Sequence, residues 1–297
     1  MILATCAALA LALANPAGGG TYQLTQDCAP VAGKQPGPAL TIRARYAAPV
    51  VIEAGRHDIA GMAVIGGGNV TLRGGRIMAP GGAQGIWPAG PAYYGLLLRG
   101  ATGVVIEGTR FTNARKAVVV DESAGITIRF TRCEGGVEDC VIASRTAGLA
   151  YVHNIAGPFW TVPTICNIAG AVTKGLGKAA CSSAGGTWTD GWHQDVLQLR
   201  DKVTDVLAAW NVINTTGQGI TQMDTAGDLP LALVRVTGND IRAGRHGLTL
   251  GRCAGCSIDR NWLASSVPGW KAVIIPGQAL ACGNTVPSGG AGREACK

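Results

Sequence analysis

Asp139, Asp195, His193 and His246 are the side chains of this 297-residue chain best suited to moving protons while a bond is cut. Two carboxyl groups brought close together raise one another's pKa, so one can hold a proton while the other stays ionised. A glycosidic bond is hydrolysed by such a pair. Histidine titrates near neutral pH and can take a proton there. His193 stands two residues before Asp195 in the segment D-G-W-H-Q-D-V-L-Q-L-R. Lys116, Arg200 and Lys271 carry the positive charge that an anionic substrate needs, Gln198 and Gln218 offer hydrogen bonds, and Trp192 offers a ring for stacking on a sugar face.

These residue types suit two cleavage chemistries. β-Elimination from a uronic acid needs a cation to neutralise the sugar carboxylate, a base for the α-proton, supplied here by His193 or His246, and an acid at the leaving oxygen. Hydrolysis needs only Asp139 and Asp195 in complementary protonation states. The mixture of cations, acids and bases favours a lyase or an epimerase slightly over a hydrolase. A non-catalytic glycan-binding protein, scaffold or adhesin is the competing class. Ca²⁺ is the one cofactor the carboxylates suggest, through hard oxygen ligands. His193, Asp195 and His246 lack a tight zinc spacing, so no metal ligand is assigned.

What could bring these residues together is a repeat. Tyr94, Lys116, Asp139, Asp195, Gln218, His246 and Lys271 each open a short apolar run, as in K-A-V-V-V, D-C-V-I-A and H-G-L-T-L. Aligned on those runs, the third and fifth columns are apolar and should point inward, because strand side chains alternate. The second column is small and is expected to leave room on the outer face. The fourth turns polar at Gln198, Thr221 and Thr249.

A second column confirms the period. Asn154, Asn211, Asn239, Asn261 and Asn284 follow one another at 57, 28, 22 and 23 residues. Thr131, Thr109 and Gly75 continue the series backwards at 23, 22 and 34. A unit of about 22 residues with extra length confined to a few turns marks a solenoid. The runs are short, β-rich and punctuated by 45 glycines, which reads as strands joined by tight turns. The expected fold is all-β, a single-stranded right-handed parallel β-helix with ~22-residue turns. Equivalent residues of successive turns then stack ~4.8 Å apart.

Residues 1–14 are apolar, end in Ala12-Leu13-Ala14 and have the form of an export signal. Residues 15–47 are expected to cover the end of the coil, residues 48–286 to form it, and residues 287–297 to close it as a tail. Insertions fall at about 79–92 and 157–192, and the second carries Phe159, Trp160, Trp188 and Trp192. No segment approaches the ~20 apolar residues of a membrane span. Ten cysteines in an exported chain point to disulfides. Cys166/Cys181, Cys282/Cys296, Cys133/Cys140 and Cys253/Cys256 are the near pairs, with Cys28 left over. The location expected is secreted or periplasmic. A net charge of +7 favours a polyanionic partner. An acidic polysaccharide suits that compartment better than nucleic acid, for which basic and aromatic residues do not interleave. The oligomeric state is not encoded in any motif.

On these turns the chain resembles the pectin-lyase-like superfamily of right-handed β-helices, which includes lyases, polygalacturonase-type hydrolases, epimerases and phage depolymerases. Arg245-His246-Gly247-Leu248-Thr249-Leu250-Gly251 is similar to the G-H-G-L-S-I-G strand of the polygalacturonase-type enzymes. Asp195-Val196-Leu197-Gln198 is similar to their N-T-D-G strand, and Glu138-Asp139-Cys140-Val141 to their D-D-C strand. Their acidic pair would fall on the turn between, which here carries Gly217-Gln218. The resemblance implies an exported enzyme that cleaves or modifies an acidic polysaccharide.

Overall fold

The computed structural model describes residues 1–17, 19–29, 37–79, 94–135, 138–159, 165–168, 171–174, 178–189, 194–222, 230–267, 271–274 and 280–287. It is a right-handed parallel β-helix. Nine parallel strands form its front sheet: Leu40–Ile42, Met62–Ile65, Tyr94–Arg99, Lys116–Asp121, Asp139–Ser144, Asp195–Arg200, Gln218–Gln222, Leu248–Thr249 and Val273–Ile274. The other faces belong to one larger sheet in which each turn contributes a longer strand, such as Ala124–Arg129, and then a shorter one, such as Arg132–Glu134.

Register along the front sheet follows the apolar column. Leu96, Val118, Val141, Leu197, Ile220, Leu248 and Val273 pair in sequence across the strands. Those of them that precede Val273 are buried in the core. A one-residue slip would turn that column to solvent, so the apolar pattern itself fixes the register.

The asparagine column forms a continuous ladder. Asn154 Nδ2 donates to Asn211 Oδ1 at 3.0 Å, Asn211 to Asn239 at 2.8 Å, Asn239 to Asn261 at 2.8 Å and Asn261 to Asn284 at 2.9 Å. Each Oδ1 also accepts the backbone N–H of the residue below, at 2.9 Å. Thr131 closes the series by donating its hydroxyl to Asn154 Oδ1 at 2.7 Å. An asparagine amide has both donors and an acceptor, so a stacked column satisfies itself where the chain turns a buried corner. The residue just before each rung sits in the left-handed region, as at Phe130, His153 and Trp210. Their rings stack at 5.2 and 5.0 Å on the outside of that corner.

The N-terminal segment is part of this architecture. Ile2–Ala4 pairs in parallel with Gly20–Leu24, which pairs with the strand that begins at Arg45. The helix Cys6–Leu13, capped by the Thr5 hydroxyl, buries Leu9 and Leu13 against the coil. Tyr46 Oη donates to the Leu13 carbonyl at 2.6 Å. Residues 1–14, whose composition suits an export signal, are packed here against the end of the coil. Cys28, expected to be left over, bonds to Cys6. Cys133–Cys140 and Cys253–Cys256 are the other disulfides whose two partners are both described, and Cys181 is also disulfide-bonded. Cys296 lies outside the described residues, as does the insertion at residues 80–92.

The second insertion folds as a unit of its own. Ile165–Ile168, Ala171–Lys174 and Thr187–Thr189 make a small antiparallel sheet beside the helix Lys178–Ser183. No helix among the described residues is long and apolar enough to cross a membrane.

Candidate functional site

The front-sheet register puts Lys116 beside Asp139 and Asp195 beside Gln218, and carries Asp139 next to Asp195 and His246 next to Gln218. The expectation that the small second column leaves outer space is overturned. Val196, Cys140 and Ala117 are buried. A Cβ on Gly219 would lie 2.6 Å from Ile241 Cγ2, and one on Gly95 3.4 Å from Ile77 Cγ2, both core side chains. Columns two and three therefore both face inward, because the strand enters the sheet through a bend. Small residues are needed at that bend because it lies against the core. The first and fourth columns share the outer face.

On that face the carboxyl groups are far from solvent. Asp139 and Asp195 are each only 2% exposed. Asp139 Oδ2 accepts from Lys116 Nζ at 2.7 Å, while its Oδ1 is buried without a hydrogen-bond partner. Burial pushes the Asp139 carboxyl up to about 7, Lys116 holds it back, and Asp195 and Glu138 add to the rise. Its affinity for a proton is therefore raised towards neutral pH. Asp195 Oδ2 accepts from Gln198 Nε2 at 2.7 Å, which orients the second carboxyl along its own strand.

Lys116 is committed within the protein. Its ammonium also lies 3.5 Å from Glu138 Oε1, and Arg115 Nε lies 2.6 Å from Glu138 Oε2. Burial pulls the Lys116 pKa down, but Asp139 and Glu138 outweigh that and leave it raised. Lys116 is thus engaged by both Asp139 and Glu138. The sequence alone does not single out Arg115, and it points to Glu138 only through the likeness to a D-D-C strand. The signal was there in the doublets Arg115-Lys116 and Glu138-Asp139, which fall in register one turn apart.

Further along, His246 Nδ1 faces the Lys271 carbonyl at 2.7 Å. A carbonyl only accepts, so Nδ1 carries the proton and Nε2 is the basic nitrogen of the neutral ring. His246 is three strands from Asp139, about 14 Å at the backbone, and two from Asp195, about 10 Å. Arg200 ends the Asp195 strand beside Ser144, with a buried Nε that has no hydrogen-bond partner. Thr221 and Thr249 on the fourth column have buried hydroxyls in the same condition. Most of the described buried side-chain atoms that lack a partner lie on this face, and such atoms are uncommon enough to require a cause. His193 and Trp192 lie outside the described residues.

The carboxylates do not suit Ca²⁺. The Lys116 ammonium occupies the side of Asp139 where a cation would bind, and among the described residues no three His, Cys, Asp or Glu converge as a metal site.

Part of the positive charge is paired within the coil. Arg73 pairs with Glu53 and Glu107, Arg129 with Glu107, and Arg145 with Asp121 and Glu122. Such pairs between stacked strands hold neighbouring turns in step.

No family model matches the sequence, and no curated protein does. Among solved structures, the chain is similar to the Dettilon tailspike protein, at 12% identity and a TM-score of 0.57. That match covers 92% of this chain and 50% of the tailspike, so the chain spans about half that protein's length. It also matches an alginate lyase from Paenibacillus sp. str. FPU-7, at 13% identity over 99% of both chains, with a TM-score of 0.49. A pectate lyase, Pel9A, matches at 12% identity and a TM-score of 0.38, over 96% of this chain and 75% of that one. At these identities the likeness is one of fold.

Proposed function

We propose that this chain cleaves glycosidic bonds in a polysaccharide, with Asp139 giving its proton to the departing sugar oxygen and Asp195 acting beside it. The observation that supports this is Asp139, buried and with its pKa raised to about 7, next to a second buried carboxyl on the adjacent turn. General acid catalysis is most effective when the donor titrates near the working pH. Hydrolysis then assigns Asp195 to the second carboxylate role, either on water or on the sugar carbon.

Spacing favours this over elimination through His246. In β-elimination the proton removed and the oxygen released are on adjacent carbons, so acid and base must both lie within hydrogen-bond reach of one small region. Asp139 and Asp195 meet that condition at one strand spacing, and Asp139 and His246 do not at three. Elimination remains the second reading because the His246 ring is held with Nε2 as its basic nitrogen, two strands from Asp195. Arg200 and Lys271 would face a substrate carboxylate in either chemistry. The substrate class proposed is therefore an acidic polysaccharide, met outside the cytoplasm, where the disulfides of this chain persist.

The test is to incubate the purified chain with uronate-containing and neutral polysaccharides. New reducing ends and the near-ultraviolet absorbance of unsaturated sugars would be followed together. Reducing ends without that absorbance, lost in Asp139→Asn, are expected. Absorbance with loss in His246→Ala would instead select elimination. Silence of the wild-type chain across the panel would sink both.

A further inference from the structure

A second feature lies around the corner from the front sheet, on the short strands of the larger sheet. Arg76, Arg110 and Arg132 stack in register on three consecutive turns. Arg76 is held by Asp58, with Nε to Oδ1 at 2.8 Å, and Arg110 by Glu134. Arg132 Nε also reaches Glu134, at 2.7 Å. Asp27 also acts on the Arg76 charge, so what Arg76 and Arg110 offer a ligand is the N–H donors that these carboxylates leave unused. Arg76 and Arg110 open onto a cavity of about 580 Å³, which Glu134, Thr112, Pro158 and Phe159 also line. Thr112 is nine-tenths buried, and its hydroxyl has no hydrogen-bond partner. One wall is thus apolar and the other carries forked cationic donors. The volume lies in the range of small-molecule sites.

We infer that this cavity binds a single anionic sugar residue, a hexuronate unit of the polymer, separately from the cleaving site. The inference rests on the reading that the chain handles a polysaccharide. A uronate has what each wall needs. Its planar carboxylate matches the guanidinium fork, which a lysine would not reproduce. Its ring carbons can pack on Pro158 and Phe159, and its hydroxyls can pair with Thr112 and Glu134. Arg76 and Arg110 come from adjacent strands, so their backbones are ~4.8 Å apart and both can approach one carboxylate. The site would hold the polymer while the front sheet cuts it.

The experiment measures binding of glucuronate, glucose and inorganic sulfate to the full chain by NMR titration, with no cleavage involved. Glucuronate is expected to bind more tightly than glucose or sulfate. Arg110→Ala should weaken it at least about tenfold, and Arg110→Lys should restore only part of that, because charge returns without the fork. Arg110 has about half its side chain exposed, so its loss should leave the coil folded, and thermal unfolding would verify this. Thr112→Val, which keeps the shape, should weaken glucuronate binding several-fold. Asp139→Asn should leave it unchanged, which separates this site from the cleaving site. The inference is overturned if glucuronate binds no better than glucose, or if Arg110→Ala binds as the wild type does. Equal binding of sulfate and glucuronate would also overturn it, by showing a bare-anion site with no sugar recognition. Because no product is measured, a chain that cleaves nothing could still pass this test.

Discussion

Lys116 Nζ lies 2.7 Å from Asp139 Oδ2, yet the carboxyl still titrates near 7 because burial outweighs the attraction. The ion pair sets how far the acid is raised. Cleavage should therefore fall as pH rises through about 7, where Asp139 loses its proton. Lys116→Met removes the charge that holds the pKa down and should move this alkaline limb to higher pH. Asp139→Asn should lower the rate by about 10²–10⁴, the usual worth of a general acid. The pH–rate profiles of the three proteins would show it. An alkaline limb that stays put in Lys116→Met would refute the assignment.

The same carboxyl makes stability depend on pH. Its ordinary value is 3.8 and its value in the fold is about 7. Between those values the folded chain holds a proton that the unfolded chain has released. Stability should therefore fall as pH rises from about 4 to 7, with the whole penalty present above 7. At about 1.4 kcal/mol per pKa unit this is on the order of a few kcal/mol. Asp139→Asn should unfold later than the wild type at pH 8, and the gap should close towards pH 4. Urea unfolding at the two pH values measures it.

Asn239 is buried and bonds to Asn211, Asn261 and two backbone carbonyls. Asn239→Ala strands these partners, and each buried group left unpaired costs about 1–3 kcal/mol. We expect a lower unfolding midpoint with little change in product chemistry. A midpoint equal to that of the wild type would show that the ladder is ornamental.

Gly219 sets how closely the turns approach beneath the site. A methyl group there would stand 2.3 Å from the Gly247 carbonyl oxygen. Gly219→Ala should cost about 1–3 kcal/mol or more through overpacking. It should also lower activity, because Gln218 and His246 flank the two glycines. Activity kept at full value would mean that the bend can yield without moving the face.

The Cys6–Cys28 bond and buried Leu9 and Leu13 predict that the folded chain keeps residues 1–14. Intact mass and thiol titration would settle it. A mature chain lacking that segment, with Cys28 as a free thiol, would show that the cap is expendable. Cys6→Ser should cost about 2–4 kcal/mol.

The coil was legible because its rules recur every turn. Asn154 to Asn284 gave the corner, and the apolar column at Val118, Val141 and Leu197 gave the front register. What was not legible depended on bends and long-range partners. Alternation treats a strand as straight, so it sent Gly219 and Cys140 outward where the bend turns them in. Charge counting could not tell that Lys116 is spent on Asp139 and Glu138. Cys6 sat within a leader-like segment, which hid the partner of Cys28. The ring stack of Phe130, His153 and Trp210 could have been found, since each residue directly precedes a rung.

The step from Asn154 to Asn211 spans 57 residues, yet the two amides meet at the same distance as rungs 22 residues apart. The coil thus keeps no record of how long the chain wanders between two rungs. An inserted segment can be lengthened, exchanged or erased at that seam, and the rest of the molecule need not be rebuilt. Freedom of length and constancy of frame are in this way placed on separate stretches of one polypeptide.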